Sequence, residues 1–240
     1  MDNTKWYEND YRFIEIIGLF IFANVSTVIL YLIICPFLKG KCLSYGEVYL
    51  LIQNLSFLFF SISYSKLFSS FSAAFSNFFS FVPSVYEFKK ALLYFFISII
   101  LVVLILTFSY FILQFLGIED ISTDIDDSPF LLSPYRFFIY FIMSCFFGPL
   151  AEELFFRKIF YSYLRKKMSF LPALIISALI FGLLHSSSSG RIIFATAMGV
   201  ILSYAYEKHN SLFINSCIHA YMNIFGLLIR LIFYYFGFIA

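Results

Sequence analysis

Charge is missing from long stretches of this 240-residue chain. Residues Ile16–Leu38, Val48–Ser65, Leu67–Tyr86, Ala91–Ile118, Phe137–Ala151, Met168–Gly190 and Ile192–Tyr206 hold no Asp, Glu, Lys or Arg. A bilayer core about 30 Å thick takes roughly 20 helical residues, and several of these windows reach that length alone or with their flanks. Only 12% of residues are charged and 62% are hydrophobic, against about 25% and about 45–50% in soluble domains. So little charge cannot cover a water-soluble globule, which excludes a cytosolic enzyme. The apolar excess also excludes a disordered chain. A formal net charge of +2 is too balanced for a nucleic-acid binder. What remains is an all-α integral membrane protein, a polytopic bundle of seven or eight transmembrane helices.

The punctuation places the helices. The first runs from Phe13 to Ile34 and stops at Pro36, and the second from Leu43 to Tyr64. Lys66 to Tyr86 is apolar but serine-rich, and fits a short span, a re-entrant piece or an interfacial helix equally. A third span covers Ala91 to Leu116. The hydrophilic loop Gly117–Pro134 follows, with Glu119, Asp120, Asp124, Asp126 and Asp127. A fourth helix runs from Tyr135 to Leu164 and ends in Arg165-Lys166-Lys167, and a fifth from Phe170 to Leu184. The sixth covers Ile192 to Tyr206, and Ser211–Ala240 suits one tilted helix or two short ones. Lysine and arginine in short loops set orientation. Lys89-Lys90 and Arg165-Lys166-Lys167 therefore belong in the cytoplasm and the acidic loop outside. The N-terminal stretch Met1–Arg12 lacks a basic region and no A-x-A site follows the first apolar run, so that run reads as a retained helix. Cys35, Cys42, Cys145 and Cys217 are scattered without C-x-x-C and read as small hydrophobes.

In such a chain the informative residues are those that do not belong in lipid, since each costs at least about 2.5 kcal/mol at mid-helix. The fourth helix carries Glu152, Glu153, Arg157 and Lys158. Glu153 and Arg157 are spaced i, i+4 on one face in the favourable order. Glu152 points about 100° away, so one carboxylate is paired and the other is left over. His185 ends a second apolar helix, and His219 with Asn223 is again an i, i+4 pair. Singly, each has an ordinary explanation. Glu153–Arg157 is the usual way to bury charge, a lone membrane histidine packs helices, and Lys158 and Arg230 can snorkel. Glu15, Glu47 and Glu87 are interfacial by position, and His209 lies in a polar turn. Jointly, Glu152, His185, His219 and Asn223 are the parts of an amide hydrolase. A carboxylate and an imidazole can hold and deprotonate water, and His219 and Asn223 can donate to a tetrahedral oxyanion.

Absences narrow the chemistry. No H-E-x-x-H zinc helix, G-x-S-x-G elbow or P-loop is present, and no Asp falls within a span. Two Glu and two His could form a zinc shell, but Glu153 is committed to Arg157 and Asn223 is no metal ligand. The expected site therefore contains no metal and needs no cofactor. Other functions compatible with the same residues are a non-catalytic immunity or scaffolding protein and an ion or proton carrier. The carrier would favour paired Gly/Pro breaks, of which Gly148-Pro149 is the one conspicuous case.

Glu152-Glu153-x-x-x-Arg157, Phe181-x-x-x-His185 and His219-x-x-x-Asn223, in this order, resemble the three motifs of the CAAX-processing and bacteriocin-processing (Abi, type II CAAX endopeptidase-like) intramembrane glutamate proteases. The resemblance covers about Phe137–Phe225. It implies a helical bundle with an intramembrane cavity open to the cytosol, with Glu152 as catalytic glutamate, His185 orienting water, and His219 and Asn223 as the oxyanion pair. Glu153 and Arg157 would be structural support. The implied function is endopeptidase cleavage of a membrane-associated peptide or protein, bacteriocin-like peptides among them, in the lipid of a bacterial plasma membrane. The chain would then divide into 1–134, helices and acidic loop of no recognised family, and 135–240, the catalytic helical core, within one integral domain.

Overall fold

The computed structural model describes residues 12–38, 45–67, 85–117, 134–185 and 188–236. The first-loop lysines Lys39 and Lys41, Cys42, most of the serine-rich segment and the acidic residues Glu119–Asp127 lie outside these. The described residues form seven helices and no strand: α1 (Phe13–Leu38), α2 (Tyr45–Leu67), α3 (Val85–Phe115), α4 (Pro134–Lys167), α5 (Phe170–Leu183), α6 (Ser189–His209) and α7 (Leu212–Tyr235). Four of them, α1, α3, α4 and α7, are long and apolar enough to cross a membrane.

The observed bounds differ from the expected ones where local signals meet tertiary packing. Helix α1 continues through Pro36 to Leu38. Pro36 offers no N–H to Leu32 O and crowds that carbonyl, but only two helical residues follow it, so little of the helix is disturbed. Helix α3 begins six residues earlier than Ala91, at Val85, so Glu87, Lys89 and Lys90 lie on its first turns. Of its 31 residues only Ala91, Ser98 and Val102 are buried, which suits a helix with one narrow protein face and a broad face for lipid. The final apolar region is one helix.

Helix α4 contains two wide turns that periodicity did not suggest. Met143–Phe147 and Leu154–Tyr161 are π-helical and flank an α-helical turn, Gly148–Glu153, that holds both glutamates. Such segments insert a residue and often mark functional sites. In the second of them Arg157 O accepts the backbone N–H of Ser162, five residues on. The Ser162 hydroxyl donates to Arg157 O at 3.2 Å.

Helices α5 and α6 approach through small residues. A Cβ on Gly199 would sit 2.8 Å from the Ala178 Cα, and one on Gly182 would meet Ile192 O at 2.9 Å. With no hydrophobic drive between helices in lipid, such close backbone contact is a main source of cohesion. It also fixes the end of α5 that carries His185.

One end of the bundle is identified by its contacts. Arg165 and Glu207 join α4 to α6 through paired bonds of 3.0 Å, and Phe13 stacks on Tyr163. The Tyr64 hydroxyl donates to Glu15 at 3.0 Å. His209, expected to be an ordinary turn residue, instead ties α6 to α3. Its Nδ1 lies 3.4 Å from Lys90 Nζ and its Nε2 lies 3.2 Å from the Tyr94 hydroxyl. Lys90 can only donate, so the ring is neutral with its proton on Nε2. Burial first, then the Lys90 and Lys208 charges, hold this imidazole below its ordinary value of 6.5. The stability it contributes is therefore present above that value and is lost as pH falls through the lowered one. Unfolding in detergent micelles is expected at lower temperature at about pH 5.5 than at about pH 7. A His209→Gln variant should lose that part of the dependence, and an unchanged pH profile would contradict the assignment.

Candidate active site

The two adjacent glutamates have separate environments. Glu153 is fully buried and forms a 3.1 Å ion pair with the equally buried Arg157. The guanidinium also lies 4.8 Å from the Phe181 ring centroid, a cation–π distance. The other partners of Glu153 come from α7. Asn215 Nδ2 donates to Oε2 at 3.1 Å, and His219 Nδ1 lies 3.1 Å from Oε1. Asn215 Nδ2 also donates to Leu202 O at 2.7 Å, so α4, α6 and α7 are joined at one side-chain amide.

Glu152 faces elsewhere. Its Oε2 lies 3.7 Å from His185 Nε2 and 3.9 Å from His219 Nε2, and this oxygen is buried without a hydrogen-bond partner among the described residues. The structure thus brings Glu152, His185 and His219 together, with Glu153 and Arg157 directly behind them.

The hydrogen bonds fix which ring nitrogens face Glu152. His185 Nδ1 lies 2.7 Å from Phe181 O. A carbonyl only accepts, so Nδ1 carries the proton and Nε2 of the neutral ring offers a lone pair. His219 Nδ1 donates to the Glu153 carboxylate in the same way. Its Nε2 accepts in the neutral ring and donates only as imidazolium. Among the described residues no group of three or more His, Cys, Asp or Glu is arranged to hold a metal.

Asn223 has a task the sequence did not reveal. Its Nδ2 donates to Ser144 O at 2.7 Å. In the first π segment Gly148 N–H bonds Met143 O, five residues back, so Ser144 O loses its usual helical partner and Asn223 supplies a substitute. One amide proton of Asn223 remains for other use. Asn215 was also missed. It lies four residues before His219, and the stripe Asn215–His219–Asn223 was legible as i, i+4, i+8 on one face. Lys158, expected to snorkel, is buried at 9% exposure.

Glu152, His185, His219 and Asn223 all line one cavity of about 1250 Å³. Its walls come from α2 (Asn54), α3 (Thr107, Tyr110), α4, α5, α6 and α7. Arg230, the other residue expected to snorkel, also lines it.

Comparison with known proteins finds a likeness to CAAX proteases, and it lies in the second half of the chain. Residues 134–225 match the family model described as type II CAAX prenyl endopeptidase Rce1-like. Over 90 residues the chain is 33% identical to a Bacillus subtilis (strain 168) protein named "Putative membrane peptidase YdiL", covering 38% of this chain and 36% of that one. Over 79 residues it is 35% identical to "UPF0177 protein YxdF" of Lactococcus lactis subsp. lactis (strain IL1403), covering 32% of this chain and 42% of that one. The chain thus spans about two-fifths or less of the length of these curated relatives. No solved structure matches.

Proposed function

We propose that the chain is a multi-pass membrane endopeptidase that hydrolyses a peptide bond of a membrane-associated peptide or protein with water activated by Glu152. The observation that carries this reading is the unpartnered Glu152 oxygen on the cavity wall, within 4 Å of two imidazole Nε2 atoms. A water donating one hydrogen to Glu152 and the other to the His185 lone pair would be aimed by both. Glu152 then takes the proton as oxygen attacks the carbonyl, and returns it to the leaving amine, the two halves of general acid–base catalysis. His219, as imidazolium opposite the Glu153 carboxylate, would donate Nε2–H to the oxyanion, and the remaining amide proton of Asn223 would be the second donor. Glu153, Arg157 and Asn215 hold His219 in place and are positioning residues.

In this reading no metal takes part. Glu153, with Arg157, Asn215 and His219 already bound to it, is not a ligand to spare, and an asparagine amide suits an oxyanion better than a cation. Residues 135–240 form the catalytic core. The helices within 1–134 add a wall of the cavity through α2 and α3, and so would help to select substrate. The site would operate in a bacterial plasma membrane.

The test is a comparison of membrane and secreted peptides from cells expressing the wild type or Glu152→Ala. New peptide termini should appear with the wild type alone, with their uncut precursors retained in the variant. Identical peptide sets at equal protein levels would favour the non-catalytic immunity or scaffolding role.

A further inference from the structure

The cavity has a floor and a direction. On every helix that contributes to it, the lining residues stop short of the Arg165–Lys167 end. Nearest the Arg165–Lys167 end of the bundle they are Asn54, Leu106, Glu152, Phe181, Met198 and His219. From there the lining continues only the other way, through Gly148, Ser144 and Tyr140 on α4, Asn223 and Arg230 on α7, and Phe194 and Arg191 on α6. On the Arg165 side of the floor the bundle is closed by packed side chains. Arg157, Tyr161, Leu202 and Tyr206 are at most 1% exposed, and the Arg165–Glu207 bonds lie beyond them.

The two ends differ in basic charge. Lys89, Lys90, Arg165, Lys166, Lys167 and Lys208 gather at the closed end, as the contacts of Arg165 with Glu207 and of Lys90 with His209 require. At the open end the described helices carry Arg136, Arg191 and Arg230, and Lys39 and Lys41 stand in sequence between α1 and α2, so the basic excess is at the closed end. Lysine and arginine near helix ends are retained on the cytoplasmic side. The positive-inside topology and a cavity open to the cytosol therefore cannot both hold for this chain, although the family resemblance implied the second.

We propose that the cavity is loaded from outside the cytoplasm, and that its substrate is the extracytoplasmic part of an exported or membrane-anchored peptide. The substrate class rests on the protease reading above, but the side of access does not. Geometry adds a length requirement. From Glu152 to Tyr140 is 12 helical residues, and from His219 to Arg230 is 11, so the cavity is roughly 16–18 Å deep. An extended chain rises about 3.3 Å per residue. A target bond must then lie within a stretch of about five residues that can unfold into the cavity, which a helical transmembrane segment does not offer without unwinding.

The experiment uses full-length protein in which Cys35, Cys42, Cys145 and Cys217 are replaced by serine. Single cysteines are introduced as Asn54→Cys or Thr107→Cys in the cavity wall, or Lys166→Cys at the closed end. Spheroplasts and inverted membrane vesicles are treated with a membrane-impermeant sulfonated maleimide. In spheroplasts, labelling is expected at positions 54 and 107 and absent at 166, with 166 labelled only in inverted vesicles. Labelling of the cavity positions from the cytoplasmic side, or from neither side, overturns the proposal whatever the enzyme cleaves. The wild type against Glu152→Ala peptide comparison separates the other failure. Cut termini confined to cytoplasmic peptides overturn the substrate class and leave the protease reading intact. No cut termini at all removes the protease reading, while the labelling result still assigns the side of access.

Discussion

Glu153→Ala and Arg157→Ala are each expected to lower the yield of folded protein sharply, whereas Glu152→Ala should leave it at the wild-type level. The pair is fully buried at 3.1 Å, so removing one member strands the other. A broken buried ion pair typically costs about 3–5 kcal/mol, a large share of the ordinary margin of stability of about 5–15 kcal/mol. The loss should be greater for Glu153, which also holds Asn215 and His219. Glu152 has no such partner, so its truncation removes chemistry and little else. Detergent-solubilised yield and size-exclusion profile measure this. Equal yields for all three variants, with activity lost only at Glu153, would show the roles to be interchanged.

Glu152→Gln should reduce peptide cleavage by about 10²–10⁴-fold, the range a positioned general base supplies. The amide keeps the size of the carboxylate but cannot take the proton of water. His185→Ala should lose turnover while still binding peptide, because the imidazole aims the water and does not form the cavity wall alone. The two residues act on one water, so the double variant should be about as slow as the worse single one, as expected for groups that work as a unit. Multiplying losses would mean that the two residues act in separate steps.

Much of this was readable from the chain. The i, i+4 spacing of Glu153 and Arg157 against the lone Glu152 separated paired from unpaired carboxylate correctly, since a helix fixes those directions whatever surrounds it. The three motifs pointed to the segment, residues 134–225, that the family model matches. The unread parts depend on helices distant in sequence. Nothing in the order of residues around Ser144 announces a π turn, so the bond from Asn223 to its carbonyl could not be anticipated. The direction of the cavity is likewise a property of six helices at once, and the charge pattern becomes informative about it only after the closed end is known. His209 looked like a turn residue because Lys90 and Tyr94 reach it from more than 100 positions away.

The central claim, that Glu152 activates water for peptide hydrolysis without a metal, is tested most directly by cleavage assays on purified protein in proteoliposomes after exhaustive chelation. Wild type and Glu152→Gln are assayed side by side on peptides whose precursors accumulate in the variant cells, and metal content is measured on the same samples. The account predicts that the wild type cleaves after chelation and contains no stoichiometric zinc, while the variant binds peptide and leaves it intact. Cleavage by Glu152→Gln at the wild-type rate would contradict it, as would wild-type activity that disappears with chelation and returns with one zinc per chain.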